Sequence, residues 1–196
     1  RVSNDRESIR LKAMKQNKSL LLFFIFTLFS GELYSQVKGS YGESYLESGV
    51  YYSNIKLPVS FRADQVEALN SGLSFEVDLR FSIVNIKSWR FDRTIGEVDQ
   101  KYLVRYNAFT RRYSVLNSIT GRELSSSDLS DIEIYISDVK NLPLIDDSLI
   151  NIEESYRVYL ITYIRAQDVP RWMQSLTFWR ENLDTEMEMV EWKLFK

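Results

Sequence analysis

From Phe75 to Ile83 the chain alternates without a break: Phe75, Val77, Leu79, Phe81 and Ile83 take one side, and Glu76, Asp78, Arg80 and Ser82 take the other. A period of two cannot be wrapped on a helix of 3.6 residues per turn, so this stretch predicts a half-buried antiparallel strand. The run from Tyr102 to Leu116, YLVRYNAFTRRYSVL, adds a hairpin. Tyr102, Val104 and Tyr106 alternate with Leu103, Arg105 and Asn107, Arg111-Arg112 interrupts, and Tyr113, Val115 and Leu116 return.

Around these two stretches the remaining elements are read in order. Gln36 to Glu47 reads as a loose lead-in rich in Gly, Ser and Tyr, and Val50 to Val59 as a strand that Pro58 ends. Ser60 to Ser71 reads as a helix, with Asp64 and Glu67 at capping-box spacing and Gly72 as its stop. Arg93 to Gln100 reads as a polar connection, and Asn117 to Gly121 as a turn. Ser127 to Lys140 fits a helix with Ile132 and Ile136 on one face, although Ile132, Ile134 and Ile136 also fit a strand. Asn141 to Glu154 reads as a loop, Tyr156 to Ala166 as a central strand, Asp168 to Trp172 as a short turn of helix, and Glu186 to Phe195 as the last strand. With 44% apolar and 14% aromatic residues there is material for one core. The expected fold is mainly β (α+β): an antiparallel, sandwich-like domain with two or three short helices.

The 196 residues include no cysteine and no histidine. That excludes disulfides, thiolate nucleophiles, Ser/His and Cys/His triads and the usual zinc sites. Any catalysis would fall to carboxylates, Lys, Tyr or Ser, and the expectation is a non-enzymatic protein with no catalytic, cofactor or metal residues.

Met14 precedes Lys15 and Lys18, the apolar run Leu20 to Phe29, and Ser30-Gly31. This is the layout of a signal peptide, residues 14–35, with residues 1–13 as a non-translated or disordered extension and 36–196 as the domain. The apolar run is short against the ~20 residues of a membrane span, so cleavage is favoured over a retained anchor. Removing residues 1–35 takes away six of 25 basic and three of 27 acidic residues and leaves a net charge of −5. No concentrated basic face remains, so no nucleic-acid partner is expected.

Several groups invite a site and also have a plainer structural explanation. Tyr102, Tyr106 and Tyr113 could line a ligand groove, but cross-strand pairing explains them more simply. Trp89, Trp172, Trp179 and Trp192 suit a stacking platform or core packing. Asp78, Asp92 and Asp99 could supply a hydrolase carboxylate pair, against which stands ordinary solvation. Asp146-Asp147 and Glu153-Glu154 lack the alternating ligands and central Gly of a calcium loop. Arg80, Arg105, Arg157 and Arg165 sit in strand patterns, where an ion ladder with Glu76 and Asp78 is the favoured reading. Arg111-Arg112 reads as a charged hairpin tip.

Ala68-Leu69-Asn70-Ser71-Gly72-Leu73, the long strand ending in Trp89, Tyr102-Leu-Val-Arg-Tyr106 with Tyr113-Ser-Val115, Asp168-Val-Pro170 and Glu191-Trp192 together resemble domain of unknown function 4390. This is a family of uncharacterised exported bacterial proteins. Two departures stand out: Asn107 replaces a frequent His, and the Pro170 region is more polar than the family pattern. The resemblance implies an envelope or periplasmic location and no established activity. Its genes often neighbour one for a membrane sensor kinase, which makes such a kinase an expected partner. The combined expectation is an envelope protein that binds a protein partner through Trp89, Tyr102, Arg105, Tyr106, Arg111, Arg112 and Tyr113. The alternative is a binder of a lipid or other apolar ligand held between the sheets. A carboxylate-based hydrolase comes third.

Overall fold

Two antiparallel sheets and two helices organise the chain in a computed structural model that describes residues 40–87, 91–167, 183–187 and 189–195. The proposed leader, Trp89, Trp172, Trp179 and the turn from Asp168 lie outside the described residues. The strands are β1 (Tyr41–Glu47), β2 (Val50–Lys56), β3 (Ser74–Ile86), β4 (Arg93–Asn107), β5 (Arg112–Asn117), β6 (Glu123–Ser126), β7 (Asp138–Asp146), β8 (Ser155–Gln167), β9 (Thr185–Glu186) and β10 (Val190–Lys193). The helices are α1 (Ala63–Asn70) and α2 (Leu129–Ser137). The large sheet runs β10-β8-β3-β4-β5-β6, with β9 also on β8, and the small sheet runs β1-β2-β7.

The alternating strand is the centre of the large sheet, as its pattern demands. β3 pairs with β4 on one side and with β8 on the other, and Phe75, Val77, Leu79, Phe81 and Ile83 are fully buried. In register with them, Val158, Leu160, Ile164 and Ala166 of β8 present the same inner face. The small sheet contributes Tyr51 and Ile55 from β2 and Leu142 and Leu144 from β7, while Leu69 of α1 and Ile132 and Ile136 of α2 fill the rest. Apolar burial at about 25 cal/mol per Å2 is the main stabilising contribution here.

Four expectations change. Gln36 to Glu47 is not all lead-in: Tyr41–Glu47 is β1, joined to β2 by the two-residue turn Ser48-Gly49, both with positive φ (50° and 79°), the geometry that matches strand twist. Its Gly- and Ser-rich, largely exposed sequence hides it, because pairing rather than burial forms it. Arg93 to Gln100 is not a connection but the first half of β4. Asn141 to Glu154 is not all loop, since β7 occupies Asp138–Asp146, and Pro143 with two register breaks obscures its alternation. The helix expected at Ser127 to Lys140 is shorter, with Asp128 as its cap accepting from the Ser130 amide (2.9 Å). Ile134 is exposed while Ile132 and Ile136 are buried, which a strand could not do.

One end of the large sheet is closed by a polar network. Glu154 accepts from Lys87 Nζ, from Asn85 Nδ2 and from the Tyr156 hydroxyl (3.0 Å). These three donors, the ammonium first, hold its carboxyl down at about 2. A folded-state value below the unfolded one means the contribution is fully present above about 4.5 and is lost as pH falls toward 2. Glu154→Gln should therefore flatten the fall of melting temperature between pH 4.5 and 2, and an unchanged slope would exclude this network as its source.

Candidate functional site

The β4–β5 hairpin carries most of the expected surface. Asn107 and Arg112 form its last pair, and Ala108 to Arg111 make the tip. The Asn107 side-chain oxygen accepts from the amides of Phe109 (3.0 Å) and Thr110 (3.2 Å), which fixes the turn. Arg111, at φ 52°, closes it in the left-handed region. Phe109 is consequently held fully exposed on an ordered loop. Beside it lies an open concavity of about 460 Å3 lined by Arg105, Tyr106, Asn107, Ala108, Phe109 and Ser114. Arg105 is exposed and forms no ion pair among the described residues. An apolar aromatic beside an unpaired guanidinium is suited to a partner group that combines an apolar body with an acidic tip.

The other expected residues divide by strand face. Tyr106 pairs directly with Tyr113, ring centroids 4.8 Å apart, and the Tyr113 hydroxyl donates to Asn70 of α1 at 2.9 Å. This is the cross-strand pairing, extended to brace α1. Arg112 donates to Ser125 Oγ (3.0 Å) and to the Ser125 carbonyl (2.6 Å), which pins β6 to β5, so it is a strut rather than a free cation. Tyr102 does not belong to the surface. It is 4% exposed, edge-on to Tyr135 of α2 at 6.2 Å, because its parity on β4 points it inward beside Val104. Phe109 escapes the sequence reading because the turn is marked there by the charges of Arg111 and Arg112; a lone aromatic between Ala108 and Thr110 is the signal available.

Burial, and secondarily Tyr135, pushes the Tyr102 phenol up to about 12 against a small opposing effect of Asn117. Because this proton is held more tightly folded than unfolded, the associated stability is complete below pH 10 and disappears as pH rises through about 12. Spectrophotometric titration should show Tyr102→Phe removing a late-titrating phenol; loss of one titrating near 10 instead would contradict its burial.

The opposite face of the large sheet carries an ion ladder built on Asp78, in which Glu76 and Arg105 have no ion pair among the described residues. Asp78, 1% exposed, lies 3.4 Å from Arg80 and 3.6 Å from Arg165, and Arg80 also reaches Asp99 at 3.6 Å. Arg165 stacks over the Tyr163 ring at 4.5 Å. Arg157 pairs with Glu191 at 2.5 Å across β8 and β10. Asp92 accepts from the Lys87 amide (3.0 Å) at the start of the β3–β4 connection. The three acids weighed for hydrolysis thus serve the sheet and its turn. Among the described residues no group of three or more acidic side chains is placed to hold a metal, and no helix is long and apolar enough to cross a membrane.

The family described as Domain of unknown function (DUF4390) matches residues 43–193, from within β1 to the end of β10. No curated protein and no solved structure matches the chain.

Proposed function

We propose, from the premise that the chain belongs to the DUF4390 family, that it is a non-enzymatic, exported envelope protein that docks a protein partner through the β4–β5 hairpin. The observation that carries this is Phe109, fully exposed on a turn fixed by Asn107 and set beside the unpaired Arg105. Exposing a large aromatic costs solubility, and such residues concentrate where surfaces are covered in use. Export is supported by the leader pattern of residues 14–35, and a membrane sensor kinase is a partner of the right compartment.

A photoreactive phenylalanine analogue at position 109 tests this in the envelope of the native organism. The expected result is one dominant protein adduct, absent when the same analogue replaces Ile134, which is exposed on α2. Equal labelling from both positions would remove the hairpin from the reading. The lipid-carrier alternative draws less support, since the inner faces of the two sheets are filled by side chains from both sheets and both helices.

A further inference from the structure

β4 is longer than the strand beside it. It has 15 residues, but β5 pairs only with Tyr102–Asn107, so among the described residues the flank of its first half that faces away from β3 has no neighbouring strand. The direction of its peptide groups follows from one bond: the Lys101 carbonyl accepts from the Ser118 amide on the β5 side (2.8 Å). In an antiparallel strand the amide and carbonyl of one residue point the same way and alternate along the chain. Asp99 and Glu97 therefore turn their peptide groups to the open flank, while Gln100 and Val98 bond to β3. The pairing with β3 is regular from Gly96 to Val104, and the only break, at Ile95, lies beyond it.

Three other edges among the described residues are blunted. β6 has four residues, β7 contains Pro143 and two register breaks, and β10 is four residues long with Trp192 lying against Gly42 of β1. The β4 flank has no proline and, among the described residues, no covering strand. On the inner face Val98 is partly buried against the core, so apolar surface continues to the lip. On the outer face Lys101 lies opposite Asp78 and Asp99 opposite Arg80, but Glu97 lies opposite Ser82 and has no ion pair among the described residues.

We propose that this flank takes up an extended segment of a partner protein as an added antiparallel strand, with a Lys or Arg facing Glu97 and apolar residues beside Val98. The inference rests on the protein-docking reading above and specifies a second contact. Charge selects this occupant over a second copy of the chain. A two-fold pairing centred on Glu97 or on Asp99 sets that acid against itself, one centred on Val98 sets Glu97 against Asp99 twice, and one shifted to set Arg93 against Glu97 or Asp99 has to run through the break at Ile95, all of which oppose association. A foreign strand meets no such constraint and gains main-chain hydrogen bonds for affinity and alternate side chains for specificity.

The test uses the full chain with a short peptide alternating valine and lysine, and its counterpart alternating valine and glutamate, read by residue-resolved amide hydrogen exchange and fluorescence anisotropy. In the free chain, the amides of Glu97 and Asp99 should exchange at least tenfold faster than those of Val98 and Gln100. The lysine peptide should slow the first pair and bind at least tenfold more tightly than the glutamate peptide. Glu97→Pro removes an outward amide and the carboxylate but no bond to β3, and should abolish binding of both peptides with the fold intact. If that variant unfolds, Glu97→Lys serves instead and should reverse the peptide preference. Glu97 and Asp99 amides already protected in the free chain, or unchanged by the lysine peptide, would overturn strand addition. A partner adduct at position 109 with unchanged exchange overturns strand addition alone; absence of both overturns the docking reading as well.

Discussion

Phe81→Ala lowers the unfolding free energy by about 3–5 kcal/mol, the range for truncating a fully buried aromatic without relaxation of its surroundings. The site has little room to relax. Phe81 is at the middle of β3, held between Val98 of β4 and Leu160 of β8, and meets Trp192 edge-on at 6.4 Å. Backbone pairing on both sides prevents the strand from moving inward to fill the space. Chemical denaturation should show the loss as a lower midpoint at unchanged slope. Phe109→Ala removes the same atoms from full exposure and should change stability by less than about 0.5 kcal/mol. A loss below about 1 kcal/mol for Phe81 would mean that the sheet centre is not packed as described.

Gly42→Ala is the second large effect. Gly42 is not needed for a turn. Its place on β1 is one where an added Cβ would fall within the Trp192 ring. The indole is fixed there by a hydrogen bond from its Nε1 to Ser44 Oγ (2.8 Å), itself paired with Ser53 Oγ (2.5 Å). A flexible side chain could swing away, but this ring cannot without breaking that bond and leaving Phe81. Overpacking of this kind costs about 1–3 kcal/mol. The Trp192 indole N–H resonance should also shift toward that of a water-exposed indole. Wild-type stability with an unmoved resonance would show that β1 and β10 do not meet at this point.

These two residues also show what the sequence could reveal. Phe81 is legible because burial on one face writes a period of two, as is the hairpin at Tyr102; Tyr156 to Ala166 is legible as a run apolar on both faces, and Gly72 from the chemistry of helix ends. Gly42 is not legible, since its reason is an indole 150 residues away. β1 and the first half of β4 escaped for a related cause: strands exposed on one side or open on one flank are made by hydrogen bonding to a neighbour, which leaves little hydrophobic record. The residues of the proposed docking surface are only partly placed by the sequence. Arg105, Tyr106 and Arg111 were named from strand and turn chemistry, whereas placing Tyr102 inside and Phe109 outside depended on register and turn type. Arg112 reads as part of the charged hairpin tip, but it is the first residue of β5, and its bonds to Ser125 depend on β6, which has no pattern of its own.

The most direct test of the docking account is a side-by-side crosslinked affinity purification from the native envelope of the wild-type chain, the double variant Arg105→Glu/Phe109→Ala and Ile134→Ala, with mass spectrometry of proteins and lipids. The account predicts one stoichiometric protein with the wild type and Ile134→Ala, reduced at least tenfold with the double variant at unchanged melting temperature. An undiminished protein partner on the double variant, or a stoichiometric lipid with no protein on the wild type, would contradict it.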